Sequence, residues 1–181
     1  MPWSGEVDAD VCLDCRQRPT GLEWCEAWGH YRGGVERLLH AFKFARHDFL
    51  ERHLALLLAE RLIERGDFDF DALVPVPMHR SKLRRRGYNQ AALLGGVLSR
   101  RLGIPCQPLL TKVVEREPQS TLVRSQRAAN VRNAFRSEEV AGLSLLLIDD
   151  VATTGETLRA CARTLIAAGA RRVCAITVAR A

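Results

Sequence analysis

No long apolar run occurs in the sequence. The longest, residues 54–59, is six residues, far short of the ~20 a membrane-spanning helix requires, so no transmembrane segment is expected. Nor is an export leader expected: residues 1–11 carry acidic side chains and lack an apolar stretch, which predicts a cytoplasmic location. The six cysteines are then expected as thiols or metal ligands rather than disulfides. There is no internal repeat and no low-complexity tract. Nothing resembles the Ser, His and Asp constellation of a hydrolase, and the five histidines show no metal-ligand spacing.

What remains is an ordinary globular composition: 181 residues, 47% apolar and 27% charged. That length suits one full domain with a small appendage. The net charge of +6 is unevenly placed. Residues 1–30 hold two arginines against six carboxylates, whereas the rest carries 25 basic against 15 acidic side chains. A basic body suits an anionic partner, either phosphates on a small molecule or a nucleic acid backbone; a solvated basic surface is the plainer alternative.

Residues 1–30 contain Cys12, Cys15 and Cys25 with three tryptophans and no sustained periodicity, and are expected to form an appendage to a domain spanning 31–181. Val35, Leu38, Leu39 and Phe42 have helical spacing, as do Leu50, Leu54, Leu57 and Leu58, with Gly66 as a stop. Strands are predicted at 72–76, 109–114, 145–148 and 173–178. Helices are predicted over 89–102 and along the face of Leu158, Cys161, Ala162, Leu165 and Ile166. Residues 116–133 read as a polar, basic loop. The alternation predicts an α/β fold with a mostly parallel central sheet flanked by helices.

The most informative stretch is "LLLIDDVATTGETL", residues 145–158. An aliphatic run, as in a strand buried on both faces, leads into Asp149 and Asp150. A short loop then opens a helix, with Thr153 and Glu156 spaced as a capping box. Helix N-termini bind anions through free N–H groups. Thr153, Thr154 and Thr157 add hydroxyls, and Gly155 permits close approach to the backbone. Carboxylates beside a phosphate cradle need another partner, and ribose hydroxyls or a hydrated metal ion would serve. Capping alone explains Thr153 and Glu156 but not the acidic pair.

This stretch resembles the phosphoribosyl pyrophosphate signature of type I phosphoribosyltransferases. The resemblance implies that fold, with Asp149 and Asp150 as catalytic carboxylates on the ribose hydroxyls. It assigns the 5-phosphate to Val151, Ala152, Thr153, Thr154, Gly155, Glu156 and Thr157. Two further stretches, "VPVPMHRSKLRRRGYNQA" from Val74 and "QSTLVRSQRAANVRNAF" from Gln119, resemble the ComF family, phosphoribosyltransferase-like proteins of bacterial DNA uptake. "YRGGVERLLHAFKF" is similar to that family's leading helix, with Lys43 as its basic position. Five cations lie within residues 80–86, a position suited to pyrophosphate. Of that region Pro77, Lys82 and Arg86 are the expected pyrophosphate-binding residues, and Gln119 and Arg127 belong to a candidate lid.

Members of that family often carry an N-terminal zinc ribbon of two Cys-x-x-Cys pairs. Here Cys12 and Cys15 resemble the second pair, and none of the eleven preceding residues is Cys or His. A degenerate ribbon without Zn²⁺, a partial site, and a first pair lost through a mis-assigned start all fit. The resemblance thus implies a phosphoribosyl pyrophosphate-binding protein, a phosphoribosyltransferase with Mg²⁺ and an unidentified acceptor. The alternative is a non-catalytic competence factor that binds single-stranded DNA or DNA-uptake proteins, with a regulatory nucleotide site.

Overall fold

The computed structural model describes residues 21–44, 48–113 and 134–181. Along the chain they form β1 (Cys25–His30), α1 (Gly34–Phe44), α2 (Asp48–Arg65), β2 (Ala72–Pro75), α3 (Arg80–Arg86), α4 (Gln90–Leu102), β3 (Leu110–Lys112), β4 (Phe135–Ser137), β5 (Ser144–Ala152), α5 (Glu156–Ala167) and β6 (Arg172–Arg180). Four strands make a wholly parallel sheet in the order β1–β6–β5–β2. At the outer edge of β2, the Leu73 N–H donates to the Pro105 carbonyl and the Gln107 N–H to the Leu73 carbonyl, each at 2.9 Å. Residues 105–107 therefore act as a rudimentary fifth strand. A separate antiparallel ribbon pairs β3 with β4.

The aliphatic run of β5 explains the layering. Alternate side chains of a strand face opposite ways. Leu145 and Leu147 pack with Leu158, Cys161 and Leu165 of α5, together with Leu110 and Phe135 of the ribbon. Leu146 and Ile148 pack with Leu54 and Leu58 of α2 and Leu94 and Leu98 of α4. All four β5 side chains are fully buried, each worth roughly 1.5–3 kcal/mol. An α/β layer structure follows, with helices over both sheet faces.

Residues 25–30, grouped by sequence with the appendage, form the edge strand β1 against β6. The preceding residues are tied in as well. The Glu23 N–H donates to the Val173 carbonyl, and the Trp24 indole N–H donates to Asp67 at 2.9 Å. Arg172 also binds Asp67 and lies over the Phe70 ring. Burial raises the Asp67 pKa, but hydrogen bonds from Arg172 and Trp24 and the charges of Arg172 and Arg65 outweigh it, so the carboxyl sits below the usual range. The sequence signal was weak because β1 is half-exposed and carries no apolar run.

The connections fix where a ligand can bind. From β2 the chain passes through α3 and α4 to residues 105–107 on one side. From β5 it passes through α5 to β6 on the other. The two paths diverge, which opens a crevice beyond the carboxyl ends of β2 and β5, the usual ligand position in open α/β sheets.

Candidate active site

A cleft of about 220 Å³ occupies that crevice. One wall is the end of β5, with Asp149 and Asp150, joined by Thr157 from α5. The facing wall follows β2: Pro77, Met78 and His79, then Lys82 and Arg86 of α3, then Asn89 and Gln90 at the start of α4. Lys43 from α1 and Lys112 from β3 complete the lining. Acid thus faces base across a space large enough for a small phosphorylated molecule.

Local chemistry builds the basic wall. His79 caps α3, its Nδ1 accepting from the Ser81 N–H at 3.3 Å. Gly87, at φ 85°, ends that helix with its N–H on the Leu83 carbonyl. Only glycine adopts this conformation readily. The Tyr88 hydroxyl then donates to the Phe42 carbonyl of α1 at 2.9 Å. Asn89 caps α4: its Oδ1 accepts from the Ala91 N–H at 3.1 Å and its Nδ2 donates to the Val76 carbonyl at 3.0 Å. One side chain thereby starts the helix and fixes it to the end of β2. Arg86 Nη1 donates to Gln90 Oε1 at 2.9 Å.

On the acidic wall, the Asp150 N–H donates to Asp149 Oδ1 at 2.9 Å. Asp150 Oδ2 pairs with Lys43 Nζ at 3.1 Å, with both side chains largely buried. Lys43 also lies over the Tyr31 ring. Burial, and then the neighbouring charge of Asp150, push the Asp149 carboxyl well above the usual carboxylate range; Lys43 opposes this. Burial and Asp149 likewise push the Cys161 thiol upward, so it stays a protonated core side chain.

The loop after β5 departs from the expected capping box. The acidic strand runs on through Val151 to Ala152, and α5 begins at Glu156. Gly155, at φ 71°, is the N-cap and supplies no side-chain cap. Thr153 is therefore too far back to cap, and Glu156 is the first helical residue. Thr154 Oγ1 instead accepts a long 3.4 Å bond from the Glu156 N–H. Sequence reasoning passed over Arg159, whose guanidinium donates to the Thr154 carbonyl and holds the loop from within the helix.

Six of the sequence-predicted residues line the cleft together: Pro77, Lys82, Arg86, Asp149, Asp150 and Thr157. Val151 and Ala152 end β5, and Thr153, Thr154, Gly155 and Glu156 lie at the start of α5 beside the cleft rather than in its lining. Lys112 carried no local signal as a site residue, and Gln90 was marked only as part of the stretch from Val74 that resembles the ComF family. The two converge on the cleft from separate elements, β3 and α4. The candidate lid residues Gln119 and Arg127 and the candidate zinc ligands Cys12 and Cys15 lie outside the described residues. Cys25 is an exposed residue of β1. Among the described residues no three His, Cys, Asp or Glu side chains are grouped to hold a metal, so nothing described supports Zn²⁺.

Comparisons with known proteins agree with this fold. The family of phosphoribosyl transferase domains matches residues 89–181. The Salmonella typhi DNA utilization protein YhgH is 34% identical over 90% of this chain and 74% of its own length. Haemophilus influenzae competence protein F is 33% identical over 100% of this chain and 86% of its own length. Among solved structures, the glutamine phosphoribosylpyrophosphate amidotransferase from B. subtilis superposes with a TM-score of 0.53 at 16% identity. The match covers 76% of this chain and 30% of that larger one. Saccharomyces cerevisiae adenine phosphoribosyltransferase gives a TM-score of 0.50 at 18% identity, covering 75% and 71% of the two chains. At these identities the structural likeness concerns the fold.

Proposed function

The chain belongs to the ComF family of proteins with the type I phosphoribosyltransferase fold, and from that premise we propose that it binds phosphoribosyl pyrophosphate and transfers its phosphoribosyl group. The observation that carries this reading is the facing of Asp149 and Asp150 against Lys82 and Arg86 across one cleft, with the α5 N-terminus beside it. The carboxylates accept hydrogen bonds from the ribose hydroxyls. The loop from Thr153 to Thr157 takes the 5-phosphate at the positive end of α5. The cationic wall neutralises pyrophosphate as it leaves, and the carboxylates stabilise the positive charge that then develops on the sugar ring.

The donor set also fits Mg²⁺. Two adjacent carboxylates offer hard oxygen ligands, too few for a protein-only cage but suited to an ion held mainly by the ligand's own phosphates. There the metal would supply charge neutralisation for the departing pyrophosphate. Lys43 meanwhile offsets the charge of Asp150. The acceptor is left open.

Calorimetric titration of phosphoribosyl pyrophosphate, with and without Mg²⁺, tests this. Saturable, Mg²⁺-dependent binding that weakens about tenfold or more in Asp150→Asn is expected, the loss of at least one hydrogen bond to a charged group. An unchanged affinity in the variant, or none in the wild-type chain, overturns the reading.

A second reading is favoured by the names of the relatives, competence protein F and DNA utilization protein. It is also favoured by the exposed side chains of Arg84 and Arg85 on α3, which lie outside the cleft lining. In this reading the chain has a role in DNA uptake and binds single-stranded DNA or a protein partner, with the cleft regulatory.

A further inference from the structure

Gln90 is one of only three polar residues fully buried among the described residues, at 2% exposure. The other two have their side chains satisfied: Ser144 Oγ accepts from Arg171, and the Thr177 hydroxyl donates to main-chain carbonyls. Half of the Gln90 amide is also satisfied, since Oε1 accepts from Arg86 Nη1 at 2.9 Å. A guanidinium only donates, so this bond fixes which end of the amide is oxygen. The other end, Nε2, is buried with no hydrogen-bond partner among the described residues. An amide N–H₂ left in this state is strongly disfavoured unless something else accepts from it. Gln90 lines the cleft.

We infer that Gln90 Nε2 is a ligand-binding donor, and that it completes with Arg86 and the α4 N-terminus a subsite for an anionic oxygen of the ligand's diphosphate arm. This rests on the reading of the cleft as a phosphoribosyl pyrophosphate site and names a residue of it. Three features place the diphosphate here rather than the ribose. Gln90 is the first residue of a 13-residue helix, whose N-terminus attracts anions. Arg86 and Lys82 stand on the same wall. Asp149 and Asp150, which repel phosphate, stand on the other. Arg86 acts twice in this arrangement: it supplies charge, and by holding Oε1 it presents Nε2 in a single orientation. A neutral donor held this way requires an acceptor oxygen and rejects a group that donates.

The experiment titrates phosphoribosyl pyrophosphate, inorganic pyrophosphate and ribose 5-phosphate into the wild-type chain and into Gln90→Glu and Gln90→Met. Gln90→Glu keeps the shape and keeps an acceptor for Arg86, but replaces the donor with an oxygen. Both ligands bearing a diphosphate should bind it about tenfold or more weakly, and ribose 5-phosphate should bind within about twofold of wild type. Gln90→Met should lose the same two ligands without the added repulsion. A thermal midpoint of Gln90→Glu close to wild type shows the fold intact. Undiminished diphosphate binding by Gln90→Glu overturns the inference. So does loss in Gln90→Met alone, which would leave Gln90 merely positioning Arg86. Failure of the wild-type chain to bind any of the three overturns the underlying reading and this inference with it.

Discussion

Asp149 is held under two penalties at once. Burial disfavours its charged form, and the adjacent Asp150 adds like-charge repulsion. Its folded pKa therefore lies above the unfolded value of about 3.8. Above that unfolded value the unfolded chain releases a proton that the folded chain retains, so the contribution of Asp149 to stability falls as pH rises until its folded pKa is passed. Replacing it by a neutral isostere should relieve this. Asp149→Asn is expected to raise the thermal midpoint of the ligand-free protein at pH 7 by roughly 2–4 °C, about 1 kcal/mol for a chain of this size. Asn Oδ1 still accepts the Asp150 N–H, so the local backbone keeps its partner. The gain should shrink toward pH 4, where the wild-type carboxyl is itself neutral. Phosphoribosyl pyrophosphate binding should be lost in the same variant, the exchange of stability for function usual at strained sites. A midpoint at pH 7 equal to or below wild type would show that Lys43 and the hydrogen bond from Asp150 already offset both penalties.

Helix α4 carries Asn89 and Gln90 into the cleft, and its position depends on one close contact. A Cβ built on Gly95 lies 2.8 Å from Cys106 Sγ, closer than side chains tolerate. Gly95 therefore lets α4 approach residues 105–107, the strand beyond β2. Gly95→Ala should destabilise by about 1 kcal/mol, because overpacking of ~1–3 kcal/mol outweighs the ~1 kcal/mol gain in helix propensity. In a Cys106→Ala background the clash is gone and the same substitution should stabilise. Denaturant titrations of the four proteins measure this change of sign, and additivity would exclude the contact as the cause. Elements such as α4 were legible in sequence because their apolar residues recur at helical spacing and a glycine, here Gly103 at φ 73°, marks the end. The run 145–148 was legible for the complementary reason that both of its faces are buried. What escaped was short or polar. No residue of α3 is buried, so its seven residues show no periodicity and read as a charge run. The strand β1 has no buried position, only partly exposed and exposed ones, and looks like part of the appendage. The capping box misled because Thr153 and Glu156 have the right spacing, while the chain places a left-handed glycine between them as the actual cap.

Charge distribution extends beyond the cleft. The body after residue 30 carries 25 basic and 15 acidic side chains, an excess legible at once, and its arrangement along residues 80–86 was legible in part. Within "RSKLRRR" the structure sends Arg86 and Lys82 into the cleft lining and leaves Arg80, Arg84 and Arg85 exposed outside it. Lys82 and Arg86, the two cations expected at the pyrophosphate, are four residues apart and share one helix face, and the setting of α3 between its His79 cap and Gly87 brings that face to the cleft. The two readings of function therefore use different cations and can be separated. On the DNA-binding reading, affinity for single-stranded DNA falls steeply with salt, because each neutralised phosphate releases counterions. Removing two of the outward cations in Arg84→Ala/Arg85→Ala should weaken that binding and lower the log–log salt slope by about 1.4, roughly 0.7 per lost contact. Phosphoribosyl pyrophosphate titrations of the same variant should be unchanged, since neither side chain lines the cleft. Asp150→Asn should do the reverse, weakening the small ligand and leaving DNA affinity and its slope intact. A salt-independent DNA affinity removes the polyanion role of the basic body. A fall in both affinities in either variant would mean instead that DNA enters the same cleft, with its phosphates competing for the wall formed by Lys82, Arg86 and Gln90.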